Sequence, residues 1–249
     1  MNIVPEEANS MPPPTVDQII QGALRENRKA LLEPEAKEIC RAYGIPTPEF
    51  AVAKTAKDAA AIAQKLGLPV VLKIVSQDIL HKTEAGAVLL DLKSGEEIEN
   101  GFRRIVDSAK SYKSNARVDG VLVQRMAAKG VEVIVGGLRD SQFGPTVLFG
   151  LGGIFVEVLK DVTFRVAPLT DLDSREMIRE IRSYPVLSGI RDQGPADETA
   201  IVSILQGTSR ILLENSSIEQ LDLNPVMVYG SGASIVDARM ILGNTSTPS

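Results

Sequence analysis

The chain has 249 residues, 44% of them hydrophobic and 24% charged, with 27 Lys and Arg against 32 Asp and Glu. That composition supports a globular core and excludes a wholly disordered chain, and the length suits one or two domains. A formal charge of −5 without a basic block excludes the electrostatic footprint of a protein that binds duplex nucleic acid or an anionic membrane. The lack of Trp and an aromatic content of 4% also argue against a base-stacking surface.

The single cysteine, Cys40, has no internal partner and falls in a helical pattern, which predicts a buried thiol in a reducing compartment. No basic region followed by an apolar one opens the chain, and no apolar run approaches the ~18 residues of a membrane span. A soluble, cytoplasmic protein with neither nucleic acid nor membrane as partner is therefore expected.

Residues 1–16, with Pro12-Pro13-Pro14, and residues 244–249 read as tails without packing surface. From Asp17, the spacing of Ile19, Ile20, Ala23 and Leu24 is helical, and a second helix opens near Pro34 and stops at Gly44. A strand follows at 50–53. Thr55, with Asp58 three residues on, then opens a helix that Gly67 closes. Strands are expected over 68–75 and 87–92, a helix starting at Ser94 with Glu97 as its capping partner, and a strand over 121–124.

In the second half, apolar runs at 131–135 and 145–149 read as strands and 174–182 as a helix. A longer helix spans 197–214, with Ile201, Leu205, Thr208 and Leu212 on one stripe. Strands at 225–229 and 233–236 flank the turn Gly230-Ser231-Gly232. This order predicts an α+β protein of two lobes with a cleft between them: N-terminal helices over 17–44, a smaller lobe over 45–126 and a larger lobe over 127–243.

The familiar phosphate-loop, dinucleotide, Cys/His metal-cluster and serine-hydrolase signatures are absent; at Gly150-Leu151-Gly152-Gly153 the third glycine position is Phe155. The one histidine, His81, lies in a polar stretch, Ser76 to Gly86, between two predicted strands, which places it on a reachable loop. Neutral imidazole is a nitrogen nucleophile that takes and returns a phosphoryl group; from the residues alone, a plain exposed loop histidine is the favoured reading. Lys73 interrupts an apolar strand, so its ammonium either meets an anion such as phosphate or extends to solvent.

Asp222, Asn224 and Asp237 carry hard oxygen ligands at or beside strand ends across the C-terminal hairpin, a set that suits Mg²⁺ with phosphate but also ordinary turn chemistry. Glu132 alternates with apolar residues, as either a solvent-facing acid or a nucleotide contact. Gln124, Met126 and Ala127 join the lobes, where a hinge backbone can read adenine.

Three stretches, VVLKIVSQDILHKTEAGAV, VLVQRMAAKGVEVIVGGLRDSQFGPTVLFGLGGIFVEVLKDVTFRVAPL, and LDLNPVMV followed by SIVDAR, together resemble the ATP-grasp β subunits of ADP-forming acyl-CoA (acetyl-CoA) synthetases, relatives of succinyl-CoA synthetase. The resemblance covers residues 17 to 242. It implies an ATP-grasp fold with ATP or ADP between the lobes and Mg²⁺ on Asn224 and Asp237. It makes His81 the transient phosphohistidine and Asp222 the carboxylate that orients it. Lys73 is then the phosphate-holding lysine, and Lys82 and Gly86 lie on the loop that covers the phosphates. Gln124, Met126 and Ala127 fall at the adenine hinge, and Glu132 on a nucleotide-contacting acid. Gly152 and Gly153 are similar to a family glycine loop.

The implied reaction is acyl-CoA + ADP + Pi giving acid + CoA + ATP, reversibly. This chain would be its nucleotide half and a CoA-binding α subunit its partner in an α2β2 heterotetramer. A binding module that transfers nothing, and an ATP-grasp ligase that makes an acyl phosphate without a histidine, are the competing functions.

Overall fold

The computed structural model describes residues 15–79, 81–153, 160–189 and 194–243. The tails expected at 1–16 and 244–249 lie outside these residues, except that Thr15 caps the first helix and Val16 begins it. Helix α1 (Val16–Arg25) opens on a capping box in which Thr15 and Gln18 each bond the other's backbone N–H. Helix α2 (Glu33–Ala42) carries Pro34 in its first turn. The buried faces of both helices, including Ile19, Ile20, Ala36, Ile39 and Cys40, join a core built by the second half of the chain.

The chain then forms β1 (Phe50–Ala53), α3 (Ala56–Leu66), β2 (Val70–Val75), β3 (Val88–Leu92), α4 (Gly95–Tyr112) and β4 (Gly120–Arg125). The strands make an antiparallel sheet in the order β1-β4-β2-β3. Thr55 and Ser94 cap α3 and α4 as their spacing predicts, each accepting from the N–H three residues on. Alanines, valines and isoleucines of these elements form a separate core. All six residues of β2 are buried, so Lys73 sits in a strand covered on both faces.

The larger sheet contains β5 (Val131–Asp140), β6 (Gly144–Leu151), β7 (Val162–Val166), β8 (Ile218–Val228), β9 (Ala233–Ile235) and β10 (Arg239–Leu242). Its order is β10-β8-β5-β6-β7, and β9 also pairs with β8. Helices α5 (Asp171–Glu180), α6 (Tyr184–Leu187) and α7 (Glu198–Glu214) complete this half. At Gly137 the α7 side chains come so close that a Cβ would lie 2.5 Å from Leu212 Cδ1.

Asp222 and Asn224, expected at or beside strand ends or in a turn, instead lie inside the long strand β8, whose first residues 218–220 have no sequence assignment. Its upper edge is shared. β10 pairs with 218–222 and β9 with 226–228, and Asn224 falls in the gap between them. The chain crosses that gap with Val236 N–H donating to Pro225 O (2.9 Å), which carries Asp237 past β8.

Candidate active site

A cavity of about 220 Å³ opens between the two halves. His81 and Lys82 reach it from the smaller lobe, and Asp222, Asn224, Asp237 and Arg239 from the larger. Asp222 and Arg239 face each other in the β8–β10 ladder, and His81 is exposed on its loop. Two residues 141 or more positions beyond His81, Asp222 and Asp237, thus share one concave surface with it.

Behind Lys82 lies a buried charge cluster centred on Glu33, a residue the sequence reading does not single out. Glu33 Oε1 is 2.7 Å from both Lys73 Nζ and Lys37 Nζ, and Oε2 is 2.5 Å from Lys82 Nζ. Lys73 also donates to Val236 O (2.9 Å), and Lys73 and Lys82 both stand 3.6 Å from Asp237 Oδ1. Only 2% of the Glu33 side chain is exposed, whereas Asp237 keeps 41% because it opens on the cavity. Glu33, the first residue of α2, looks in sequence like any acid favoured at a helix N-terminus; its partners lie up to 49 residues away.

The electrostatics follow from this packing. Burial pushes the Glu33 carboxyl up, but Lys73, Lys37 and Lys82 more than offset it and hold it well below the carboxylate range. Burial lowers Lys37 to about 8 despite Glu33. Burial also opposes the charge on Lys82, yet Glu33 and Asp237 keep its ammonium above the usual value. Asp237 is raised by burial and by Glu33, and Asp222 by burial and by Asp237, with Arg239 opposing the latter shift.

Three lysines thus stand against the two carboxylates Glu33 and Asp237, leaving one excess positive charge at the back of the cavity. Such a site attracts an anion. At the front, burial and the neighbouring Asp237 raise the cost of charging Asp222. No group of three or more His, Cys, Asp or Glu side chains that could hold a metal occurs among the described residues. The Asp237 carboxylate and the Asn224 amide oxygen fit Mg²⁺, which uses few protein ligands and completes its shell with phosphate and water.

The remaining predicted residues lie apart from the cavity lining. Gln124 is fully buried; its Oε1 accepts from Lys37 Nζ, which ties it to the cluster, while its Nε2 has no partner. An orphaned buried donor beside the interlobe link is what a nucleotide base could satisfy. Met126 N–H is spent on Pro69 O (3.1 Å), and Ala127 follows it in the link. Glu132 is exposed on β5, with Gly152 so close that a Cβ would lie 3.1 Å from Glu132 Cβ. Gly86 adopts φ 61° where the His81 loop turns into β3.

The ATP-grasp domain model matches residues 22–242. The β subunit of the acetate–CoA ligase [ADP-forming] I of Pyrococcus furiosus is 51% identical over 225 residues, covering 90% of this chain and 97% of the relative. The chain belongs to the ATP-grasp family of ADP-forming acetate–CoA ligase β subunits. The ATP-grasp α+β fold expected from the sequence is the one found.

Ca. Korarchaeum cryptofilum dinucleotide-forming acetyl-coenzyme A synthetase 1, solved in complex with coenzyme A and Ca-AMPCP, superposes with a TM-score of 0.90 at 45% identity, covering 92% of this chain and 100% of that one. The same synthetase in complex with coenzyme A and Mg-AMPPCP, its phosphohistidine segment pointing towards the nucleotide-binding site, gives a TM-score of 0.82 at 43% identity with the same coverage. This family membership makes the chain a ligase subunit with the nucleotide-binding role of the ATP-grasp fold. No helix among the described residues is long and apolar enough to cross a membrane.

Proposed function

We propose that this chain is the phosphoryl-transferring, nucleotide-binding subunit of an ADP-forming acid–CoA ligase, catalysing its half of acyl-CoA + ADP + Pi = acid + CoA + ATP. The observation that carries the reading is the placement of exposed His81 in one cavity with Asp222, Asn224, Asp237 and Arg239. Residues 45–126 serve as the smaller lobe and 127–243 as the larger, with 17–44 packed on the latter. The partner is a CoA-binding α subunit in an α2β2 assembly, and the compartment is the cytoplasm.

An imidazole nitrogen of His81 attacks the phosphorus of an acyl phosphate in the partner's site; the P–N bond forms as the P–O bond to the acyl group breaks and the acid leaves as carboxylate. Asp222 offers its carboxylate to the phosphorylated ring, orienting it and offsetting its cationic character. At the nucleotide cavity a terminal β-phosphate oxygen of ADP attacks in line, the P–N bond breaks, and ATP and neutral His81 result.

Lys73 and Lys82 hold the nucleotide phosphates, and Gly86 lets the covering loop turn over them. Gln124, Met126 and Ala127 meet the base, and Glu132 the nucleoside. Asn224 and Asp237 would hold Mg²⁺, which when bound neutralises charge on the phosphate oxygens.

The test is incubation of the purified chain with γ-³²P-ATP and Mg²⁺, with and without its α subunit. Acid-labile, base-stable label is expected on wild type and none on His81→Ala. Chelation by EDTA should remove labelling of the wild type. Nucleotide binding without any label, even with the α subunit present, overturns the reading in favour of a binding module.

A further inference from the structure

Among the described residues from Ser76 to Ala87, those at both ends are fastened and His81, Thr83 and Glu84 stand bare between them. At its start, Asp78 accepts from Lys113 Nζ (2.7 Å) and from the Arg117 backbone N–H (2.8 Å), and Ile79 is buried. At its end, Ala85 and Ala87 are buried. The N–H groups of Ala85, Gly86 and Ala87 donate to the carbonyls of His81, Thr83 and Lys82, folding the segment on itself. Between these ends His81, Thr83 and Glu84 are exposed.

Of the side chains from 81 to 84, Lys82 alone has a polar partner among the described residues: Glu33 Oε2 at 2.5 Å, with Asp237 Oδ1 at 3.6 Å. Lys82 is 18% exposed, so this pair is largely shielded from solvent and salt, unlike a surface bridge. Glu33 moves little. It opens α2, whose Ala36, Ile39 and Cys40 sit in the larger lobe's core, and Lys37 and Lys73 hold its other oxygen. The contact therefore ties the tip of a smaller-lobe loop, one residue from His81, to the larger lobe across the cleft.

The geometry points to Glu33 as the catch of the His81 loop: by gripping Lys82 it holds His81 at the nucleotide cavity, and the loop leaves for a second site when that grip opens. This rests on the phosphoryl-transfer reading above, in which His81 serves two sites. Glu33 is thus a positioning residue, acting on the reaction through Lys82. The grip has a built-in competitor. Glu33 offers two oxygens to three ammonium groups, and any phosphate that draws Lys82 or Lys73 away weakens the catch.

The test is amide hydrogen exchange of Ala85, Gly86 and Ala87 in the full chain without nucleotide, for wild type, Glu33→Gln, Lys82→Met, their double variant and Lys82→Arg. Each single loss should speed exchange of these three amides on the order of tenfold, the double variant no further, and Lys82→Arg should stay near wild type. Amides of β2 and α3 should not change in any variant. If Glu33→Gln fails to fold because Lys37 loses its buried anion, the Lys82→Met and Lys82→Arg pair still decides the matter. Unchanged loop exchange in Lys82→Met, or additive effects in the double variant, overturns the catch. Neither readout requires phosphoryl transfer, so failure of His81 to label from ATP is a separate result that sinks the functional reading instead.

Discussion

Arg239 on β10 stands directly opposite Asp222 on β8, and both side chains line the cavity that His81 enters. The pair places a permanent cation beside a carboxylate that burial and Asp237 have already made reluctant to ionise. Under the proposed function a phosphoryl group on His81 would bring negative charge to this surface, and Arg239 and Lys82 are the Lys and Arg side chains that line it.

Replacing Arg239 with Met is expected to slow phosphoryl transfer from ATP to His81 by about 10²-fold or more, as loss of a charge-stabilising donor does. The residue is exposed, so the thermal midpoint should hardly move. Rapid-quench labelling read beside a melting curve checks both. Labelling at the wild-type rate would remove Arg239 from the transfer step.

Gln124→Glu should separate folding from binding. The natural side chain leaves its Nε2 unpartnered while its Oε1 accepts from Lys37. The carboxylate removes the orphaned donor and gives Lys37 a second anion, which should raise the unfolding free energy by ~1–2 kcal/mol. The same change takes away the donor assigned to the base, so ADP should bind about tenfold or more weakly. Urea unfolding and titration calorimetry read the two effects; a gain in stability with unaltered ADP affinity would mean that Gln124 serves the fold only.

Lys37 gives a pH signature. Its folded value is about 8 against an ordinary 10.5, so between these values the unfolded chain binds more protons than the folded one. Stability attributable to Lys37 therefore rises with pH through that window; the cost of keeping it charged is fully present below about 8. Compared with Lys37→Met, which lacks this titration, the wild type should gain stability between pH 7 and pH 10. The measurement is the difference in unfolding free energy at the two pH values, where other lysines and tyrosines contribute to both proteins. A difference independent of pH would show that Lys37 keeps its proton throughout.

The longer helices were legible because their signals are local, whereas the four-residue α6 has no sequence assignment. Thr55 with Asp58 and Ser94 with Glu97 place caps that the structure reproduces with side-chain hydrogen bonds, and Asp197, read as the first residue of α7, is its cap. The first part of β8 was not. Asp222 and Asn224 belong to residue types depleted from strands, and Asn before Pro reads as a turn. They are strand residues here because one face of β8 packs on the core with Leu221 and Leu223 while the other meets the cleft. Strands β7 and β10 were likewise unassigned, since both are short and draw their stability from a neighbour's ladder.

By itself the sequence determined the family, the order of most elements and the residue types available for chemistry, because caps, apolar periods and contiguous motifs are written within a few positions of one another. Only the tertiary structure decided that Glu33 and Lys37 belong beside Lys73 and Lys82, that Arg239 faces Asp222, and that Gln124 keeps a free donor. Those facts depend on which charges become neighbours when water is removed between two lobes. An acid at a helix start carries no local mark of the three lysines, one of them 49 residues distant, that will share its burial.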